Sequence, residues 1–64
     1  MAPVVALDGM GGDNAPAAPV TGAITAARDG VQVLLVGDRA TLERELAHQD
    51  AAGHSGIEIV HAPD

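Results

Sequence analysis

Two short apolar runs, one inside Pro3–Asp8 and one over Val31–Val36, constrain this chain more than any other feature. The first is continuous and the second is broken only by Gln32; each is rich in Val and Leu and stops at a glycine beside an aspartate, Asp8-Gly9 after the first and Gly37-Asp38 after the second. Apolar runs of this length bounded by turn residues predict strands, and the continuous first one a buried strand. Between them Val20, Ile24 and Ala27 recur at i, i+4 and i+7, with Gly30 just past the end, which predicts a helix from about Ala15 to Arg28. Asp13 or Asn14 can cap that helix, and Pro19 suggests a later start because it has no amide to give a helix interior. A second helix is predicted over Arg39–Gln49, capped by Asp38, with Leu42 and Leu46 inward and Glu43, Arg44 and Glu45 toward solvent. Asp50–Gly56 reads as a small polar loop, and Ile57–His61 alternates enough to be a third strand. The order β-α-β-α-β predicts a parallel sheet and one half of an open, doubly wound α/β domain.

Length sets the next limit. A chain of 64 residues buries only about 60% of its unfolded surface, and domains that survive on that usually add rings, metals or disulfides. This chain has no Phe, Tyr, Trp or Cys, and thirteen Ala inflate its apolar fraction of 47%. It therefore reads as the N-terminal portion, residues 1–64, of a larger single α/β catalytic domain.

Charge and residue type exclude several functions. Three Arg and no Lys against nine Asp or Glu give a net charge of -6, which together with the missing rings argues against nucleic acid as a partner. Without cysteine there is no disulfide framework, thiolate metal site or thiol nucleophile. No apolar run approaches membrane-spanning length, and Asp8 interrupts the region where a signal peptide would be apolar, so the cytoplasm is the expected compartment.

The chemistry is expected after the first strand. In open parallel sheets ligands gather beyond the carboxyl ends of the strands, where helix N-termini present unpaired amides. The stretch Gly9–Pro19 holds three Gly and two Pro with Asp13 and Asn14, and Gly9, Gly11 and Gly12 allow backbone amides to converge on an anion. Gly9, Met10, Gly11, Gly12 and Asn14 are thus candidates for holding phosphate or an oxyanion, and a tight connector without a ligand is the alternative. Ordinary dinucleotide binding is not supported, since the third glycine of that pattern would fall at Asn14, and the NTPase loop needs a Lys.

Asp8 and Asp13 are the candidate catalytic residues, although a carboxylate repels the anion that glycine amides attract. Asp13 is expected to shape the turn or cap the helix, and Asp8 to orient a partner at the strand end. Asp38 is expected to cap a helix rather than bind ribose. His48 and His54 are expected in solvent, while His61 ends a strand and has more chance of facing the cleft. The histidine spacing matches no metal site, and Ser55 lacks the context of a serine nucleophile.

The run Ala6-Leu7-Asp8-Gly9-Met10-Gly11-Gly12-Asp13-Asn14-Ala15-Pro16 resembles the opening of the bacterial phosphate acyltransferase (PlsX) family. Its core is Met10-Gly11-Gly12-Asp13, a variable residue, then Ala15-Pro16. The similarity continues into Leu34-Leu35-Val36-Gly37-Asp38 and weakens after Arg39. Gly9 stands where many relatives carry Ala or Val. The resemblance implies an enzyme that moves a fatty acyl group from acyl-carrier-protein to inorganic phosphate for phospholipid synthesis. It also implies a three-layer α/β/α fold like that of the isocitrate and isopropylmalate dehydrogenases, a homodimer, and peripheral association with the inner face of the membrane through residues beyond Asp64. No cofactor is implied, because a phosphate oxygen is itself a competent nucleophile toward a thioester. A non-catalytic phosphate- or nucleotide-binding module, or an inactive fragment, are the alternative readings.

Overall fold

In a computed structural model, which describes residues 3–63, the elements are β1 (Val4–Asp8), α1 (Ala17–Arg28), β2 (Gln32–Gly37), α2 (Arg39–His48) and β3 (Ile57–His61). The three strands form one parallel sheet in the order β1-β2-β3. The β-α-β-α-β unit is therefore present. Both helices touch β2 and each other, so they share one face of the sheet, as two right-handed crossovers in the same direction require.

Side chains alternate across a strand, and β2 shows the consequence: Val33 and Leu35 are buried while Gln32, Leu34 and Val36 are half-buried. The core joins Val20, Ala23, Ile24 and Ala27 of α1 to Val33 and Leu35 of β2, Leu42 and Leu46 of α2, and Ala51. The helical spacings and the inward leucines thus fall where the sequence predicts them.

β1 is not the buried strand that its apolar run predicts. It is an edge of the sheet, and Val4 and Val5 are 62% and 41% exposed. The register puts Val4 and Ala6 on the same face as Leu34, Val36 and Val60, opposite the helices, and nothing among the described residues covers that face. A continuous apolar strand needs cover on both sides, whereas this unit supplies it on one.

The first helix begins at Ala17, later than Ala15 and earlier than Pro19. Its N-cap is Pro16, without a side-chain hydrogen bond, so neither Asp13 nor Asn14 makes the expected cap. Asn14 contributes its backbone instead, accepting from the amide of Ala18 at 3.0 Å. Pro19 is tolerated because the first turn of a helix has amides without helical acceptors anyway. At the other end Gly30 follows the C-cap Asp29 with φ +88°, a conformation that favours glycine.

The second helix starts as predicted and ends one residue early, with Gln49 as C-cap. Asp38 is its N-cap: Oδ2 accepts from the Thr41 amide at 3.0 Å and from the Thr41 hydroxyl at 2.7 Å. The hydroxyl bond first, then the amide bond, holds the Asp38 carboxyl below its ordinary value of 3.8, with smaller help from the charges of His61 and Arg44. A lowered native pKa means that the ionised cap stabilises the fold above that ordinary value and that the contribution is lost as pH falls through the lowered one. Asp38→Asn keeps an acceptor for Thr41 but not the charge. The thermal midpoints of wild type and Asp38→Asn should therefore differ near neutrality and converge below about pH 4. A gap that stayed constant on acidification would remove the carboxylate from this account.

Candidate functional site

The carboxyl ends of all three strands lie at one end of the sheet, because the strands are parallel, and the glycine-rich loop leaves from β1 at that end. Its first half is tied down. The Gly9 amide donates to the Val36 carbonyl at 2.7 Å, continuing the sheet, and the Gly11 amide donates to the Asp8 carbonyl at 3.3 Å. The Met10 amide donates to Asp8 Oδ1 at 3.0 Å. Gly9 is buried, and a Cβ there would lie 2.6 Å from Leu42 Cδ2, so this glycine packs directly against α2 and a side chain in its place would have to displace the Leu42 methyl. The Met10 side chain lies over Gly37, whose Cβ would meet Met10 Cγ at 2.7 Å.

The second half is open. Among the described residues, the amides of Gly12, Asp13, Asn14 and Ala15 donate to no protein acceptor. Gly12 has φ +89° with nothing within 4 Å of the place a Cβ would take, and Gly12, Asp13 and Asn14 are exposed. Successive amides without protein partners, leading into the N-terminus of α1, are donors available to an anion. The candidates named from the sequence therefore divide: Gly9, Met10 and Gly11 have their amides committed, while Gly12 and Asn14 have theirs free, joined by Asp13 and Ala15.

The two candidate carboxylates also separate. Both are exposed, but Asp8 at the end of β1 has one oxygen engaged in the loop, whereas Asp13 does not cap the helix. Asp38, Arg39 and His61 line a shallow depression of about 390 Å³ at the same end of the sheet. There His61 Nδ1 accepts from the Arg39 amide at 3.1 Å, and the Arg39 guanidinium donates to the Ile59 carbonyl at 2.9 Å. His61 thus braces the start of α2. His48 is exposed as expected, but His54 is half-buried, its Nδ1 accepting from the Gly56 amide at 2.9 Å in the turn into β3. Among the described residues no group of three or more His, Asp or Glu is arranged to hold a metal ion.

Two features escape the sequence reading. Glu45 is half-buried rather than solvent-facing, since Gln49 Nε2 donates to its Oε2 at 2.8 Å and to the Ala17 carbonyl at 3.1 Å. Gln49 thereby links the end of α2 to the start of α1, just beyond the open half of the loop. A polar residue at a helix terminus gives no sequence signal for such a cross-helix bond. A groove of about 420 Å³ runs along β3 between Leu46, Ile57 and Ile59, away from the glycine loop.

Comparison with known proteins gives a consistent answer. A family described as fatty acid synthesis protein matches residues 4–64. A phosphate acyltransferase of Deinococcus radiodurans is 53% identical over 60 residues, covering 94% of this chain and 17% of that protein. A phosphate acyltransferase of Thermus thermophilus shows the same identity and coverage. One from Anaeromyxobacter is 55% identical over 58 residues, covering 91% of this chain and 16% of its own length. The chain thus spans about 17% of the length of the curated relatives it matches. No solved structure gives a significant match.

Proposed function

Because the chain belongs to the fatty acid synthesis protein family, we propose that residues 1–64 are the N-terminal part of a larger single α/β domain that transfers a fatty acyl group from acyl-carrier-protein to inorganic phosphate. The observation that carries this reading is the run of unpaired amides from Gly12 to Ala15 at the carboxyl end of a parallel sheet. Acyl transfer to phosphate requires an anion held beside a thioester carbonyl. A phosphate oxygen attacks the carbonyl carbon, a C–O bond forms as the C–S bond breaks, and the thiol leaves with a proton. The loop's task is to bind and orient the phosphate, which turns an encounter between two solutes into a reaction within one site.

Glycine-loop amides alone do not neutralise a phosphate, and Asp8 and Asp13 add negative charge nearby. The cations come from the rest of the protein, as does a basic surface for the acidic carrier. The open apolar face of Val4, Ala6, Leu34, Val36 and Val60 supports a doubly wound three-layer α/β/α architecture, in which helices from the rest of the domain cover it. Homodimerisation and peripheral attachment to the inner face of the membrane also reside outside residues 1–64. No helix among the described residues is long and apolar enough to cross a membrane.

The test is direct. The complete protein, given acyl-carrier-protein charged with a long-chain acyl group and inorganic phosphate, should release free carrier thiol and acyl phosphate in equal amounts, dependent on phosphate. Thiol release that ignored phosphate would indicate a hydrolase and overturn the reading.

A further inference from the structure

We infer that Asp8 is the positioning residue of the glycine loop: its carboxylate closes the Gly9–Gly11 half and so leaves Gly12–Ala15 as the half open to phosphate. The inference rests on the proposed function for its substrate and on geometry for its substance. Two hydrogen bonds and the strand register meet at Asp8. Its carbonyl accepts from the Gly11 amide, its Oδ1 accepts from the Met10 amide, and the strand pairing of β1 with β2 fixes its backbone opposite Val36. A side-chain oxygen bonded to the amide two residues on is an Asx turn, the local device by which aspartate shapes a tight bend. The Met10 amide thus already has an anion, supplied by the chain itself, and a phosphate cannot take that donor without displacing Asp8.

Gly11 makes the arrangement sterically specific. A Cβ on Gly11 would sit 3.0 Å from Asp8 Oδ2 and 3.2 Å from Asp8 Cγ. The carboxylate would have to give way by a few tenths of an ångström, which strains its bond to the Met10 amide. Asp8 and Gly11 are therefore coupled: glycine at 11 gives the Asp8 carboxylate room for this rotamer. Among the described residues Asp13 has no comparable tie to the loop.

The experiment uses the complete protein and four variants, Asp8→Asn, Asp8→Ala, Gly11→Ala and the double Asp8→Ala/Gly11→Ala. The amide oxygen of asparagine can still accept from Met10, so Asp8→Asn should hold the KM for phosphate within about threefold of wild type. Asp8→Ala and Gly11→Ala should each raise it by about tenfold or more, the usual loss when a charge-assisted bond is removed. The double variant should be little worse than Asp8→Ala, because the second change acts on a bond already gone. Exchange of the Met10 amide, followed by selective labelling of methionine nitrogen, should quicken in Asp8→Ala and Gly11→Ala and stay slow in Asp8→Asn. That readout needs no turnover, so a failure of the acyltransferase reading leaves it standing. Additive effects of Asp8→Ala and Gly11→Ala, or an Asp8→Asn that loses kcat as fully as Asp8→Ala with KM unchanged, would overturn the inference and make Asp8 a catalytic residue.

Discussion

Gly12→Val in the complete enzyme slows acyl phosphate formation by roughly a hundredfold or more, the scale of losing one preorganised anion donor. Two effects combine. Gly12 has φ +89°, where a side chain costs about 1–2 kcal/mol and a β-branched one more. The chain escapes that strain by reorienting the peptide that carries the Gly12 and Asp13 amides, and the new isopropyl group shields whatever position remains. Space is not the obstacle, since nothing stands within 4 Å of a Cβ at this position. Loss of stability should stay near the strain cost, while turnover falls much further. Gly12→Asn is the companion variant, because asparagine tolerates positive φ better than valine, and it should recover part of the lost rate. A folded Gly12→Val protein with normal turnover would reduce the loop to a connector.

The second large effect concerns the support beneath the loop. Leu42 is fully buried, and it is the side chain that a Cβ on Gly9 would strike and that a Cβ on Gly37 would approach at 3.2 Å. Leu42→Ala should lower the unfolding free energy of the complete enzyme by about 2–5 kcal/mol through lost burial and the cavity left behind. It should also raise the KM for phosphate, because the tied half of the loop rests on this leucine. Leu46→Ala, one turn further along α2 and also buried, should cost stability of the same order without the effect on phosphate. Denaturant unfolding and phosphate kinetics on both variants separate the two contributions. Equal phosphate kinetics in the two would mean that the loop is held by its hydrogen bonds alone.

Those contrasts mark where the sequence is legible. The strands, the inward residues of both helices and the Asp38 cap follow from local rules: apolar runs, spacing of i, i+4 and i+7, and an acidic residue before a helix. The location of the candidate site follows from one topological rule, that loops beyond the carboxyl ends of parallel strands gather ligands. The division of the loop is different in kind. It depends on the Gly9 amide reaching Val36, twenty-seven positions along the chain, and on Asp8 folding back over Gly11. Composition marks all three loop glycines alike, although Gly9 answers to Leu42, Gly11 to Asp8 and Gly12 to its own backbone. Local rules credit Asp13 with the cap because it precedes a helix, yet Pro16 occupies that position and Asp8 shapes the turn. The exposed side of β1 is equally hidden, since an apolar run states that a strand should be covered and not what covers it.

The central claim is that the free amides of Gly12–Ala15 hold the phosphate that receives the acyl group. Titration of the complete, nitrogen-labelled enzyme with inorganic phosphate, read as amide chemical shifts, tests it most directly. Saturable shifts should appear at Gly12, Asp13, Asn14 and Ala15, at phosphate concentrations matching the kinetic KM, while Gly9, bonded to Val36, stays nearly still. Saturation of turnover by phosphate with those four amides unmoved would contradict the account and place the acceptor site elsewhere in the protein.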